Sequence, residues 1–284
     1  MTYSLASLRK NSSLDKLKAA LESKNKPRND ERFWQPSLDK AENGFAVIRF
    51  LPAAPVDGEN GQAAVQYFTH AFQGPGGWLI ENCPTTISHD CPICKDNGKL
   101  WNSGITANKD LARARKRKLK FVSNILVIQD PHHPENNGQV KLYGYGIKIL
   151  DKIMEKVSPP DNEYEKVAAV DVFDWELGAN FTLRISRQGK FLNYDKSTFG
   201  EVTPAAKSET EFEALWNKEY SLKPFIAESE FKDSATLSGR LNRVLSVGDD
   251  GMYQHNPQKD LVASHKPMVE TVTGTLTGPP DEAE

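Results

Sequence analysis

A mixed α+β fold, predominantly β, is predicted by three observations. Short apolar runs cut by Gly, Pro and Asn fill the middle of the chain, one segment alternates strongly, and all three cysteines fall within one short stretch. Many short strands favour a barrel or sandwich over a doubly wound sheet. The 284 residues, 38% of them hydrophobic, suffice for one large domain or two ordinary ones.

Strands are expected at Phe45 to Leu51, Val65 to Phe68, Trp78 to Glu81, Asn124 to Ile128 and Val140 to Tyr145. Phe181, Leu183 and Ile185 alternate with Thr182, Arg184 and Ser186, and Gln188-Gly189-Lys190 turns the chain into Phe191 to Tyr194. That pattern predicts a hairpin. Helices are expected over Ile147 to Val157, Glu209 to Tyr220 and Phe231 to Val247, where Leu237, Leu241, Val244 and Leu245 share one face. These helices are expected to buttress the strands.

The ends read differently from the middle. Ser12 with Asp15 three residues on resembles a capping box, Leu14, Leu17 and Leu21 fall on one helical face, and Pro27 interrupts a polar linker. Residues 1–26 therefore read as a basic N-terminal arm and 27–248 as the core, with a metal subdomain at about 65–120. Residues 249–284 are rich in Pro and Thr and end Asp281-Glu282-Ala283-Glu284, the composition of a disordered, mildly acidic tail.

A mean hydropathy of −0.57 describes a polar chain. No apolar run approaches the roughly 20 residues of a membrane span, and Met1 to Ala20 lacks the apolar core of a signal peptide. A cytosolic location is the expectation. The net charge of −2 hides an asymmetry, because only 8 of the 36 basic residues but 15 of the 38 acidic ones follow position 198. A basic surface can thus coexist with an acidic C-terminal part, and a polyanionic partner is not excluded.

His70, Cys83, Cys91 and Cys94 form the series His-x12-Cys-x7-Cys-x2-Cys. The Cys-Pro-Ile-Cys knuckle can place two sulfurs on one ion, and three thiolates with one imidazole close a tetrahedral shell. One structural Zn2+ is expected. His89 is the competing fourth ligand; His70 is preferred because His89 stands only two residues before Cys91 and would strain the knuckle.

Lys109, Arg113, Arg115, Lys116, Arg117, Lys118 and Lys120 face a single acid, Asp110, between positions 109 and 120. Such a run can follow a phosphate backbone through counterion release. Trp101, Phe121, Tyr143, Tyr145, Phe191 and Tyr194 lie in or beside strands near charged residues, and an aromatic face stacks on any base. No nucleophile elbow, phosphate-binding glycine loop or zinc-protease helix motif is present, so catalysis has no residue set to stand on.

Several ordered segments resemble the zinc-containing, helix-destabilising single-stranded DNA-binding proteins of T-even-type phages. They are Asn43 to Pro52, the His70, Trp78, Cys83 and Cys91-Pro92-Ile93-Cys94 series, Asn124 to Val127, Asp130-Pro131 with Pro134-Glu135-Asn136, and Gly178 to Phe181 with Asn193-Tyr194-Asp195. The resemblance implies an OB-type barrel joined to a zinc-bearing subdomain, with single-stranded DNA between them. It places Arg49, Trp101, Lys116, Arg117, Lys118, Tyr143, Phe191 and Tyr194 at the cleft. It also implies cooperative contact between neighbouring molecules through the arm, where Arg9-Lys10-Asn11-Ser12-Ser13 looks like a degenerate form of the family's motif. Replication and recombination proteins are the implied partners of the tail. Val122 stands where the family has tryptophan and Ala112 where it has tyrosine, so one or two stacking contacts are absent from this chain.

The function expected is cooperative, sequence-independent coating of single-stranded DNA during replication, recombination and repair, in the cytoplasm of an infected bacterial host. The alternative is a zinc-stabilised protein-interaction adaptor without DNA binding. A nuclease would require a carboxylate cluster for a catalytic metal, which the sequence does not offer.

Overall fold

The computed structural model describes residues 30–160, 167–189 and 191–246. Nine strands appear among them: β1 Phe33–Trp34, β2 Gly44–Phe50, β3 Ala64–Gly74, β4 Gly77–Asn82, β5 Lys118–Gln129, β6 Val140–Tyr145, β7 Ala179–Gln188, β8 Phe191–Asn193 and β9 Thr198–Val202. Five α-helices accompany them: α1 Pro92–Trp101, α2 Thr106–Arg115, α3 Ile147–Val157, α4 Glu209–Trp216 and α5 Ser234–Leu245. The arm, its linker and the tail lie outside the described residues.

β5 organises the sheet. One edge pairs with β6, while the other pairs first with β3, over Lys118 to Ser123, and then with β2, over Ile125 to Gln129. One long strand thereby joins two lobes. In the first, β1, β2, β5, β6 and β7 turn Trp34, Ile48, Phe50, Ile125, Tyr143, Phe181 and Leu183 into a common core. No strand pairing closes the ring between β6 and β9 among the described residues. Helix α3 packs there instead, against β5, β6 and β9, and drives Ile149 and Ile153 into the core.

The second lobe is the β3–β4 hairpin with α1, α2 and α5. Phe72, Leu79, Cys83, Cys91 and Ile93 pack against Leu237, Leu241, Val244 and Leu245. The β3–β4 turn lies directly on the C-terminal end of α5, where Gly76 donates its N–H to the Val244 carbonyl at 2.8 Å. A Cβ at Gly76 would overlap the Arg243 carbonyl oxygen, so the approach needs glycine.

The segment after α4 fastens the lobes together. Asn124 of β5 pairs with both sides of the Tyr220 peptide, at 2.9 and 3.0 Å, and the Asp57 carboxylate accepts from Leu222 N–H at 2.9 Å and from the Ser221 hydroxyl. Further along, the buried Glu81 carboxylate of β4 accepts from Lys232 at 2.8 Å and from Arg240 of α5 at 2.6 Å. One stretch of chain is thus held to the first lobe at one end and to the hairpin at the other.

The expected strands and helices are found, β6 and α3 at the expected ends and the others with shifted ends. β3 runs six residues past Phe68 and β5 begins six residues before Asn124, while α4 and α5 are shorter than expected. Helices α1 and α2 and strands β1 and β9 were not expected from the sequence.

Candidate metal centre and nucleic-acid interface

β3 contributes His70 from its inward face, the end of β4 leads into Cys83, and Cys91 and Cys94 flank the start of α1. Pro92 at the first helical position suits the N-terminus, where its missing N–H costs nothing, and lets Cys91 and Cys94 approach one point. The four ligand atoms lie within 4.8 Å of one another. His70 Nε2 stands 3.5 Å from the sulfurs of Cys91 and Cys94, and the sulfurs of Cys83 and Cys94 are 3.6 Å apart. A tetrahedral ion with ordinary zinc bond lengths needs ligand separations of about 3.5–3.8 Å, so the group fits such an ion.

The surroundings support that use. His70 Nδ1 lies 3.2 Å from the Arg115 carbonyl, which fixes a tautomer that points Nε2 at the sulfurs. Hydrogen bonds from Cys91 and Cys94 hold the Cys83 thiol far below the usual thiol range, while donation to Cys83 and Cys91 pushes Cys94 far above it. A dication would balance the thiolate charge and let all three cysteines ionise. His89, the competing ligand, is exposed and outside the group. His132 and His133 are exposed in the turn after β5.

The expected nucleic-acid contacts separate into two sets. Trp101, at the end of α1, is 46% exposed, with the Lys109 ammonium 5.7 Å and the Arg113 guanidinium 5.3 Å from its ring. Phe191 on β8 is 44% exposed, Lys116 is exposed, and Arg117, Lys118 and Lys120 are half-buried. Arg117 lies over the Phe68 ring at 4.1 Å and donates to Thr85. These side chains remain accessible to a ligand.

The other set is interior. Arg49 is fully buried, and its guanidinium donates to the carbonyls of Thr203 at 2.8 Å and Asp174 at 2.7 Å. Gly178 leaves room for it, since a Cβ there would collide with the guanidinium. Arg49 ties β2 to the loops before β7 and after β9 and offers no donor to a phosphate in this conformation. Arg115 is buried over the Phe72 ring and within 3.9 Å of Asp96. Phe121 stacks on Tyr145 at 5.6 Å, Tyr145 pairs its hydroxyl with Ser123 at 3.0 Å, and Tyr143 and Tyr194 fill the barrel core. None of these rings presents a face for a base.

The family model "gp32 DNA binding protein like" matches residues 42–245, the span of both lobes and the metal group. The chain belongs to this family. Relatives in the gp32-like family include the "Single-stranded DNA-binding protein" of Enterobacteria phage T2, 35% identical over 78% of this chain and 72% of that protein. The protein of the same name from Enterobacteria phage T4 is 34% identical over 77% of this chain and 71% of that protein. A third, from Escherichia phage SV14, is 37% identical over 31% of this chain and 76% of that protein. No helix among the described residues is long and apolar enough to cross a membrane.

The sequence did not point to the residues that support the ligands. Arg115 carries the carbonyl that orients His70, and Thr85 reaches the Cys83 sulfur at 3.1 Å. Both act through the fold, so neither carries a spacing signal.

Proposed function

We propose that this gp32-like chain binds single-stranded DNA cooperatively and without strong sequence preference. It would coat and protect the strand during replication, recombination and repair in the cytoplasm of a phage-infected bacterium. The family match across both lobes carries this reading. The chain is a binding protein and not an enzyme.

Trp101 and Phe191 are the stacking faces, and Lys116, Arg117, Lys118 and Lys120 the phosphate contacts, because these are accessible. The metal is one Zn2+, favoured by a thiolate-rich and closed ligand set. Bound to His70, Cys83, Cys91 and Cys94, it would fix the hairpin to α1 and supply structure without chemistry. Arg9, Lys10, Ser12 and Ser13 in the arm of residues 1–26 mediate contact between neighbours, and the tail of residues 249–284 meets replication and recombination partners.

A salt-titrated binding isotherm on oligo(dT), with duplex DNA as control, tests the reading. Affinity is expected to fall with a slope of about 0.7 in log affinity on log salt per phosphate contact, and duplex to bind more weakly. Neutralising Lys116, Arg117 and Lys118 together should flatten that slope by about two units. A protein that binds neither form contradicts the proposal and favours an adaptor; an unchanged slope removes the three residues from the interface.

A further inference from the structure

The basic run divides between two faces of the sheet. Lys118 and Lys120 of β5 stand opposite Thr69 and Tyr67 of β3, and Thr69, Ala71 and Gln73 stand opposite Asn82, Ile80 and Trp78 of β4. Directly opposed residues share a face, so Lys118, Lys120, Ile80 and Trp78 lie on one face, with Trp78 nearest the hairpin turn and the lysines further along β3, level with Thr69 and Tyr67. His70, Leu79 and Glu81 point the other way, to the metal group and α5.

On the first face, the chain from Tyr220 to Ile226 covers Val65 and Tyr67, with the Phe225 ring 6.1 Å from Tyr67. Beyond that cover the face opens, with Trp78 42% and Ile80 59% exposed. A groove of about 380 Å³ runs between Ile80 and the turn Glu228–Glu230, bordered by Thr69, Asn82, Ser229 and Lys232. The Thr69 hydroxyl is buried there with no hydrogen-bond partner among the described residues.

We propose that this face is a second subsite for single-stranded nucleic acid, in which a base stacks on Trp78 beside Ile80 and phosphates pass Lys118 and Lys120. The inference rests on the reading of the chain as a single-stranded DNA-binding protein. An indole stacks on any base, and lysines on the same face, further along the sheet, supply the opposite charge to the backbone of the neighbouring nucleotides. The exposed Ser229 hydroxyl can meet a base edge as donor or acceptor. Glu81 does not oppose phosphates, because Lys232 and Arg240 balance it. Glu230 on the groove's far rim does, which directs the backbone along β5. The strand would then contact both faces of β5.

Ultraviolet crosslinking of the full chain to oligo(dT), with peptide mapping, is paired with binding by Trp78→Ala and Trp78→Phe. The expected result is nucleotide adducts within Gly77–Asn82, binding weakened on the order of tenfold in Trp78→Ala, and recovery in Trp78→Phe. Bound metal and melting temperature should stay at parental values in both variants. If the parent binds oligo(dT) but the adducts fall elsewhere and Trp78→Ala binds as well as the parent, the subsite is overturned while the broader reading stands. Failure of Trp78→Phe to recover binding also overturns it. A parent chain that does not bind oligo(dT) fails the broader reading itself.

Discussion

Arg49 shows how far a residue's type can stand from its role. A lone arginine in a strand reads as a surface cation, yet here its guanidinium donates to main-chain carbonyls of Thr203 and Asp174 inside the fold, with Nε buried and unpartnered among the described residues. Arg49→Met would leave the Thr203 carbonyl unpaired and the Asp174 carbonyl with only the Gly178 N–H, and is expected to lower stability by about 1–3 kcal/mol, seen as a lower urea midpoint. Affinity of the folded fraction for oligo(dT) should not change; lost affinity at full stability would return Arg49 to the interface. Glu219 has a different liability, with both carboxylate oxygens buried and unpartnered among the described residues. Burial pushes its pKa up to about 8 from 4.5. The folded chain therefore holds this proton more tightly than the unfolded chain, and the associated stability is full below pH 4.5 and lost as pH rises through 8. Glu219→Gln should exceed the parent in stability at pH 8 by on the order of 2 kcal/mol, with the gain shrinking towards pH 5. Parallel stability profiles across that range would contradict this. The grouping of His70 with the three cysteines was legible in the sequence, because spacing favours it over His89. The buried roles of Arg49, Tyr143 and Tyr194 were not, since nothing local distinguishes a ring facing a core from one facing a base.

Elements were legible where apolar periodicity marks them. Helix α3 was expected at its observed ends, because Ile149 and Ile153 mark a buried stripe on it. Helices α1 and α2 escaped because their inward sides carry metal ligands, Ile93, Ala112 and Arg115 in place of a large apolar stripe. β3 was expected to stop at Phe68 because His70, polar and turned inward, breaks the apolar alternation. β9, exposed or half-exposed throughout, gives no alternation to read. The packing of the β3–β4 turn on α5 is the most demanding contact at this scale. Gly76→Ala should force the turn away from the Arg243 and Val244 carbonyls, lowering stability by about 1–3 kcal/mol and raising proteolysis within the hairpin. A melting curve matching that of the parent would mean that α5 yields instead.

At the scale of the whole molecule, the barrel and the metal-bearing hairpin share β5, and the chain from Tyr220 to Arg240 fastens one to the other. The predominantly β character and the metal lobe were legible from strand texture and cysteine clustering. The fastening segment was not, because Asn124, Asp57 and Glu81 find their partners 96, 165 and 151 residues away in sequence. If the arm of residues 1–26 contacts a neighbour's core, deleting it should leave affinity for a one-protein oligonucleotide nearly unchanged. The same deletion should weaken binding to long poly(dT) and flatten its isotherm. Equal weakening on both substrates would make the arm an electrostatic contact instead. If a metal-built lobe completes a single-stranded DNA site, affinity for oligo(dT) must follow zinc, which is measured before zinc removal, after it and after restoration. About one zinc per chain is expected, with loss of both melting temperature and affinity on removal and recovery of both on restoration. A metal-free chain that stays folded and binds oligo(dT) as tightly as the zinc form would contradict it.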